Sequence, residues 1–264
     1  MLSRRMVIIG LGGAALAAGC SPDTAVTEAA PATPDETRTP LEDLERATGG
    51  EFGVMAMDVN GRTLLSHRAD QRFAMCSTFK WLLGGLLLQA SDRGEVSLDQ
   101  RLIFSEFDLV FHSPVTSRHT GTTGLSIADL CAATIKTSDN TAANLLLGEL
   151  GGPDGFTARL RALGDTVTRL DRLEPALNEN APGDPRDTTT PLVMARHLTG
   201  FLFGDRLAPA SQDKLRGWMI AADTGLDRLR AGLPAGWVIG DKTGTSSNRA
   251  NNDVAFALPP TEQP

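Results

Sequence analysis

Apolar and polar positions follow two different periods along this chain. Near its beginning, alternation predicts strands over 52–59 and 62–67, joined at Asn60-Gly61, a dipeptide that favours a tight hairpin turn. Near its end, short apolar runs predict strands over 236–240 and 253–258. Between these strands, apolar residues recur with helical spacing. The predicted helices cover 40–46, 126–136, 142–150, 154–163, 191–203 and 210–220, and a further helix begins at Ser77.

This order of elements predicts an α/β fold of the α+β type. An antiparallel sheet with flanking helices is built from both ends of the chain, and an all-helical subdomain is inserted, with the active site between the two parts. Within a catalytic domain over 40–264, the α/β part covers about 40–75 and 190–264, and the helical part covers about 76–189. The stretch 170–190 lacks periodicity, and a loop of this length inside a compact domain is usually functional.

The first twenty residues form a predicted export signal. Ser3-Arg4-Arg5, an arginine pair similar to a twin-arginine signal, precedes an apolar stretch over 6–18 that is too short to cross a membrane. Residues 17–20 resemble a bacterial lipobox, which predicts a lipid anchor at Cys20; the alternative is an ordinary signal cleaved nearby. In either case we expect the chain to be exported from a bacterial cytoplasm to the periplasm, where it is free or anchored to the membrane. Residues 21–39, rich in Pro, Thr, Ala and acids, predict a disordered tether.

Charge and composition exclude several classes of function. The net charge is −7 and the pI is about 5.1, which argues against a nucleic-acid partner. The four histidines are scattered and the three cysteines form no zinc pattern, so no metal or other cofactor is expected. Tyrosine is absent, which removes phenolate as a catalytic base.

Candidate chemistry begins with Ser77 and Lys80. The two residues are three apart, so on a helix their side chains share a face. A serine becomes a good nucleophile when a neighbouring amine takes its proton, and a helix N-terminus stabilises the negative charge that then develops. The alternative is a helix-capping serine followed by a surface lysine, and the pair alone does not decide between them.

Three further segments supply partners for this pair. Ser138-Asp139-Asn140 follows a predicted helix end, where a hydroxyl and an amide can point into a cleft. Glu174 and Asn178 lie in the long loop, where a carboxylate and an amide can hold a water between them. Lys242-Thr243-Gly244 follows a predicted strand, where glycine lets a ligand approach the backbone closely.

Together these four motifs, in this order, resemble the serine β-lactamases and penicillin-binding proteins, and the loop with Glu174 resembles class A β-lactamases in particular. The similarity covers about 40–259 and includes the motifs at 113–116, 171–172 and 186–189. The resemblance implies a monomer that hydrolyses the β-lactam amide of penicillins or cephalosporins, and so confers antibiotic resistance.

The resemblance also implies roles for individual residues. Ser77 is the nucleophile, Glu174 activates the deacylating water with help from Asn178, and either Lys80 or Glu174 is the acylation base. Backbone N–H groups of Ser77 and Thr245 form an oxyanion hole. Further catalytic and substrate-binding roles are implied for Ser138 (proton to the lactam nitrogen), Asn140 (substrate side-chain amide), and Lys242, Thr243, Gly244, Thr245 and Arg228 (substrate carboxylate).

Alternatives remain at several of these positions. Asp139 is expected to be structural, and Arg228 is either part of the carboxylate pocket or an ordinary surface charge. His112 stands where the family often has an aromatic residue that lines the cleft, and it either contacts substrate or faces solvent. Arg172 and Asp187 are expected to tie the ends of the loop as an ion pair.

The chain also departs from the family pattern. Cys76 and Cys131 each match one half of a family disulfide, but the partner positions hold Ser246 and Gly84, so both are expected to be free thiols. The family continues with another strand and a C-terminal helix, whereas this sequence stops at Pro264. The strand predicted over 253–258 is therefore expected to have an unpaired edge and the sheet an uncovered face.

Two other functions remain open at this point. A penicillin-binding D-alanyl-D-alanine peptidase would share the serine and lysine motifs but stay acylated by penicillins. A non-catalytic β-lactam-binding protein would be acylated without turnover. Glu174 and its loop favour the β-lactamase over both.

Overall fold

A computed structural model describes residues 7–15 and 39–260 of the chain. In chain order the helices and strands are β1 (Val7–Ala15), α1 (Pro40–Thr48), β2 (Gly50–Met57), β3 (Thr63–His67), β4 (Phe73–Ala74), α2 (Phe79–Asp92), β5 (Arg101–Leu102), β6 (Leu125–Ser126), α3 (Ile127–Lys136), α4 (Asn140–Glu149), α5 (Gly152–Ala162), β7 (Thr188–Thr189), α6 (Pro191–Leu202), α7 (Pro209–Ile220), β8 (Val238–Thr245) and β9 (Asn251–Leu258). Every predicted helix and strand has a counterpart in this order.

In the described part of the chain, five strands form one antiparallel sheet in the order β3-β2-β1-β9-β8. Two short pairs, β4 with β7 and β5 with β6, lie outside it. The sheet combines strands from both ends of the chain, and α2 to α5 are inserted between them. This arrangement confirms the predicted α+β fold class.

Strand β1 corrects the expectation of an unpaired edge at 253–258. It pairs along its length with β2 on one side and with β9 on the other, so that Ile8 lies opposite both Met57 and Phe256. Backbone N–H and C=O groups in a sheet interior need partners, and this segment supplies them to both neighbours. The segment belongs to the predicted export signal. Cys20 and most of the predicted tether lie outside the described residues.

Helix α2 is the centre of the core. Every residue from Phe79 to Ala90 is buried, and α3, α4, α5 and α7 pack around it. A Cβ atom added to Gly84 would lie 2.7 Å from a methyl group of Ile135, so glycine at this position lets α3 come close. The N-terminus of α2, and Ser77 just before it, are thereby fixed between the helices and the sheet. No helix in the described ranges has the length and apolar character needed to span a membrane.

Two predicted boundaries were wrong in ways that matter for the site. Helix α4 begins at Asn140 rather than at 142, because the Asp139 carboxylate caps it by accepting the backbone N–H of Ala142. Strand β8 continues to Thr245, because the pairing with β9 extends to the Thr245–Asn251 pair. The Lys242-Thr243-Gly244 motif therefore lies inside this edge strand and does not follow it.

Candidate active site

A cleft of about 640 Å³ separates the helical part from the edge strand β8, a volume typical of small-molecule sites. The cleft brings together residues from all four sequence motifs. Its lining includes Ser77, Ser138, Asn140, Asn178, Arg228, Thr243, Gly244 and Thr245. Three further predicted residues, Lys80, Glu174 and Lys242, are buried next to these groups.

Ser77 lies in a single turn of 3-10 helix, Cys76–Thr78, that leads directly into α2. Its Oγ donates a hydrogen bond to Oε1 of Glu174 at 3.2 Å. Cys76 has φ +46°, in the left-handed region that a non-glycine residue rarely adopts. Backbone strain of this kind is common at functional sites, and here it lies directly before Ser77.

Lys80 is completely buried and is surrounded by acceptors. Its Nζ lies 2.9 Å from Oε1 of Glu174 and donates to the carbonyl and hydroxyl oxygens of Ser138 (2.8 and 3.3 Å) and to Oδ1 of Asn140 (2.5 Å). The link between Ser77 and Lys80 runs through Oε1 of Glu174, which contacts both residues. Burial lowers the pKa of Lys80, and the charge of Glu174 acts in the opposite direction.

Glu174 is 3% exposed and is held by two asparagines. The side-chain amide of Asn144 bonds the backbone of Glu174 twice: its Oδ1 accepts the Glu174 N–H and its Nδ2 donates to the Glu174 C=O, both at 2.9 Å. Nδ2 of Asn178 donates to Oε2 of the carboxylate at 2.6 Å. Asn144 was missed from the sequence, although it lies one turn after Asn140 on α4, on the side that faces the loop.

The ends of the loop are tied as predicted. Nε of Arg172 lies 2.6 Å from Oδ2 of Asp187, whose side chain is 1% exposed. Oδ1 of Asp187 also accepts the backbone N–H groups of Asp171 (2.7 Å) and Arg172 (3.0 Å). Ion pair and hydrogen bonds together close the loop at its base and fix the segment that carries Glu174.

Asp139 is structural, as expected. Its carboxylate accepts the backbone N–H groups of Val115, Thr116 and Ala142, each at 2.9 Å, and so joins α4 to the loop before it. Neighbouring Ser138 has φ +60°, a second left-handed residue at the cleft. The turn aims both the carbonyl and the hydroxyl of Ser138 at Lys80.

Asn140 reaches both Lys80 and the wall of the cleft. Its Oδ1 accepts from Lys80, and its Nδ2 donates to the carbonyl of Phe111 at 2.8 Å. A substrate amide at this position would share or replace these bonds. Next to Phe111, His112 lines the cleft, and its Nε2 bonds the carbonyl of Thr137 at 2.9 Å, which orients the ring.

Lys242, on β8, is also completely buried. Within the described ranges its Nζ donates one hydrogen bond, to the carbonyl of Thr243 at 2.7 Å. Burial, reinforced by the positive charge of Lys80, lowers the pKa of Lys242 to about 7. This ammonium group has donors left for an anion and loses its charge near neutrality.

The structure gives a packing reason for Gly244 that the sequence did not predict. A Cβ atom there would lie 2.6 Å from the backbone oxygen of Met75 and 3.1 Å from the backbone N of Thr78. The turn that carries Ser77 makes this close approach. Glycine lets β8 and the turn Cys76–Thr78 lie against each other, which sets the width of the cleft at this point.

Arg228 belongs to the cleft and not to the general surface. Its guanidinium donates to the carbonyls of Asn252 (2.7 Å) and Gly244 (3.2 Å) and to Oγ1 of Thr245 (2.7 Å). The sequence analysis missed Asn252. Its Nδ2 donates to the carbonyl of Ala74 at 2.9 Å, just before the turn that carries Ser77. Both residues tie the ends of β8 and β9 to the rest of the site.

Cys76 and Cys131 are buried free thiols, which confirms that prediction. Burial raises the pKa of Cys76 to about 12, and the charge of Glu174 contributes. A thiol of this kind is inert at neutral pH, so Cys76 is not a rival nucleophile to Ser77. The described residues contain no group of three or more His, Cys, Asp and Glu side chains arranged to hold a metal ion.

Comparison with known proteins agrees with this geometry. The profile described as "Beta-lactamase enzyme family" matches residues 36–264. β-Lactamase FAR-1 of Nocardia farcinica is 48% identical, over 84% of this chain and 70% of its own length. β-Lactamase L2 of Stenotrophomonas maltophilia is 47% identical, over 93% and 79%. A solved ancestral class A β-lactamase of Gram-negative bacteria superposes with a TM-score of 0.77 at 50% identity, over 85% of this chain and 91% of that one.

The cleft between a helical part and an antiparallel sheet, with Ser77 next to the buried side chains of Lys80 and Glu174, is the arrangement that the resemblance to serine β-lactamases and penicillin-binding proteins implies. The match to the family profile and the identity to these relatives show that the chain belongs to the β-lactamase enzyme family, and within it to the class A serine enzymes.

Proposed function

We propose that this β-lactamase opens the β-lactam ring through an acyl-enzyme on Ser77, which a water activated by Glu174 then hydrolyses. The observation that carries this mechanism is the position of the Glu174 carboxylate. One of its oxygens contacts both Ser77 and Lys80, and the other faces Asn178. These contacts support a mechanism in which one carboxylate serves first Ser77 and then the water.

Acylation begins when Ser77 Oγ loses its proton and attacks the lactam carbonyl. Oε1 of Glu174 already accepts the hydrogen bond from this hydroxyl, so the proton moves to Glu174, or to Lys80 where its amine is neutral. The C–O bond to Ser77 forms, and the backbone N–H groups of Ser77 and Thr245 stabilise the oxyanion. The tetrahedral intermediate then collapses and the C–N bond of the ring breaks.

The nitrogen released from the ring needs a proton. The hydroxyl of Ser138 faces the cleft and contacts Nζ of Lys80 at 3.3 Å. Lys80 gives a proton through Ser138 to the nitrogen, and where Glu174 has taken the proton of Ser77 it passes that proton on to Lys80. No net charge is created on the enzyme in the complete acylation step.

Deacylation uses the other side of Glu174. Oδ1 of Asn178 is buried and has no hydrogen-bond partner among the described residues, while Nδ2 of the same amide donates to Oε2 of Glu174. These acceptors orient a water, Glu174 takes its proton, and the hydroxide attacks the ester carbonyl. The C–O bond to Ser77 breaks and the proton returns to Ser77 Oγ, which regenerates the enzyme.

The substrate carboxylate fits the opposite wall of the cleft. Lys242 supplies a buried ammonium group, and Thr243 and Thr245 supply hydroxyls on the same strand. Arg228 holds the Thr245 hydroxyl at 2.7 Å and adds a second positive charge. Charge-assisted hydrogen bonds to a carboxylate are among the strongest available in a binding site.

A single reaction followed two ways tests the proposal. Purified chain is mixed with benzylpenicillin while ring opening is recorded optically and the intact protein mass is measured. We expect substrate loss without a lasting adduct, and neither adduct nor hydrolysis in Ser77→Ala. Ser117→Ala, a change at an exposed serine, should behave like the parent. A lasting adduct on the parent protein would instead indicate a penicillin-binding peptidase or a β-lactam-binding protein.

Export to the periplasm, a lipid on Cys20 and a monomeric state complete the proposal, on the strength of the N-terminal sequence pattern and the family resemblance. Cleavage before Cys20 would also remove β1, the partner of both β2 and β9. Mass spectrometry of the N-terminal peptide from membranes and periplasm therefore answers two questions: whether Cys20 carries a lipid, and whether the mature chain keeps β1. A chain that retains residues 7–15 would contradict cleavage before Cys20.

A further inference from the structure

Behind the carboxylate pocket, two carboxyl groups are buried on one face of the sheet. Asp241 of β8 is 0% exposed and Asp253 of β9 is 2% exposed. Asp253 lies opposite Thr243, and Asp241 lies two residues before Thr243, so the three side chains share a face. The two carboxyl groups are therefore diagonal neighbours on adjacent strands, a relation in which side chains interact.

Each carboxyl group has one oxygen bonded and one oxygen left over. Asp241 accepts from Nε of Arg230 at 3.0 Å through Oδ1, and Asp253 accepts the backbone N–H of Leu229 at 3.1 Å through Oδ2. Oδ2 of Asp241 and Oδ1 of Asp253 are buried without a hydrogen-bond partner among the described residues. A buried acceptor without a partner is costly, and one proton between the groups would satisfy both.

This face also receives the loop that carries Arg228, residues 223–232. Oγ1 of Thr243 donates to Oγ1 of Thr224 at 2.8 Å. A Cβ atom on Gly225 would lie 1.9 Å from Oδ2 of Asp241, so the loop backbone lies directly on that carboxyl group. The bonds to Arg230 and Leu229 bind the next part of the loop. The pair is thus part of the surface that fixes Arg228.

We propose that Asp241 and Asp253 share one proton, and that the singly ionised pair is a positioning element that holds loop 223–232, and Arg228 with it, against the carboxylate pocket. This inference rests on the proposed role of that pocket. The proton forms an O–H···O bond between the two free oxygens. Its loss places a second negative charge on the face, which repels Asp241 and opposes an anionic substrate.

The surrounding charges agree with this assignment. Burial, together with the charge of Asp241, raises the pKa of Asp253 to about 7. The Leu229 N–H and the charges of Arg228 and Lys242 act in the opposite direction, and Arg230 pairs with Asp241. Because the two carboxyl groups interact, the titration belongs to the pair.

Infrared difference spectroscopy tests the shared proton directly. We expect the parent to show a protonated-carboxyl band at about pH 6 that is lost by about pH 9, and Asp253→Asn to lack it. In Asp241→Asn, the band should disappear at a lower pH, because Asp253 then has no neighbouring negative charge. Absence of the band in the parent at about pH 6, or an unshifted band in Asp241→Asn, would overturn the proposal.

Kinetics test the positioning role. The variant Asp253→Asn keeps an acceptor for the Leu229 N–H and offers an N–H to Asp241, but it has no carboxyl proton to lose. We expect the rise in KM between about pH 6 and about pH 9 to be at least about threefold smaller in Asp253→Asn, with kcat little changed. Asp227→Asn, at an exposed carboxylate on the same loop, should follow the parent. Equal KM profiles in the parent and Asp253→Asn would contradict the positioning role.

Thermal unfolding provides a readout that needs no catalysis. A pKa raised in the folded state adds stability that is complete below its ordinary value of 3.8 and is lost as the pH rises through about 7. Asp253→Asn cannot lose this contribution, so its Tm relative to the parent should increase from about pH 5 to about pH 8. A constant difference would count against the shared proton whether or not the proposed catalytic mechanism holds.

Discussion

Two lysines on either side of Ser77 are equally buried and are held in opposite ways. Lys80, on α2, has acceptors from Ser138, Asn140 and Glu174 around its ammonium group. Lys242, on β8, has one hydrogen bond within the described residues, to the carbonyl of its neighbour Thr243. Both are 0% exposed, so burial alone does not distinguish them.

The difference lies in where the compensating charge comes from. Lys80 carries its counter-ion with it, since Oε1 of Glu174 lies 2.9 Å away. The ammonium group of Lys242 donates only one of its possible hydrogen bonds to the described residues. Burial and the charge of Lys80 lower its pKa to about 7. A fixed ion pair suits proton transfer, whereas an ammonium group with free donors suits binding of an anion that arrives with the substrate. The comparison therefore supports the proposed division of roles, with Lys80 in proton transfer and Lys242 in substrate binding.

Removal of Lys80 should have the largest effect. Lys80→Ala deletes the proton relay and leaves Glu174 buried without its partner, so kcat/KM should fall about 10³-fold and unfolding free energy by about 3–5 kcal/mol. Steady-state kinetics and urea unfolding measure the two losses. Lys214→Ala, at an exposed lysine, is the matched control. Activity within about tenfold of the parent would remove Lys80 from the relay.

Removal of Lys242 should affect binding more than chemistry. Lys242→Ala loses a charge-assisted hydrogen bond to the substrate carboxylate, worth about 1.5–3 kcal/mol, or about 10- to 100-fold in KM. A substrate analogue with its carboxylate esterified should lose much less. If the acid and the ester are affected equally, Lys242 does not bind the carboxylate.

The pH dependence should separate the lysines further. As the pH rises through about 7, Lys242 loses its proton and kcat/KM for carboxylate substrates should fall. Lys242→Arg keeps its charge, so this part of the alkaline fall should be absent. Stability should depend on pH in the opposite direction. Folding lowers the pKa of Lys242 from its ordinary 10.5, so between about pH 7 and pH 10.5 the unfolded chain binds one more proton than the folded chain. The contribution of Lys242 to the free energy of unfolding therefore rises with pH in that window. A fall in stability there that depends on Lys242 would reverse the assignment.

Loosening the loop base should have the smallest effect. Asp187→Asn keeps the shape but removes the charge that pairs with Arg172 at 2.6 Å, so the fixed position of Glu174 is weakened. We expect deacylation to slow about three- to tenfold while acylation is nearly unchanged, a loss of about 1 kcal/mol. Pre-steady-state kinetics resolve the two steps. Equal slowing of both steps would mean that the loop base also positions Ser77.

The sequence predicted which residues meet at the site better than it predicted how the backbone brings them together. Ser77, Glu174 and Lys242 occur in short motifs whose residue types imply a reaction, and the structure brings them to one cleft. Asn144 and Asn252 were missed because they act by bonding backbone groups far away in the chain, and an asparagine in a helix or strand carries no local signal of such a bond.

Backbone conformation and long-range pairing were also beyond the sequence. The left-handed angles of Cys76 and Ser138 are imposed by packing, against the preference of both residue types. Strand β1 pairs with partners about forty and two hundred and forty residues away, and apolar periodicity cannot distinguish such a strand from the core of a signal peptide. The position of Gly244 was predicted, but its packing role needed the neighbouring turn to be visible.

The most direct test of the central claim is the lifetime of the acyl-enzyme in Glu174→Ala. Benzylpenicillin is mixed with the parent, with Glu174→Ala and with Asp184→Ala, which removes a different carboxylate of the same loop, and intact masses are recorded over time. The account predicts an adduct on Ser77 that persists about 10²- to 10⁴-fold longer in Glu174→Ala than in the other two proteins. Turnover by Glu174→Ala at the parent rate would contradict the role assigned to Glu174.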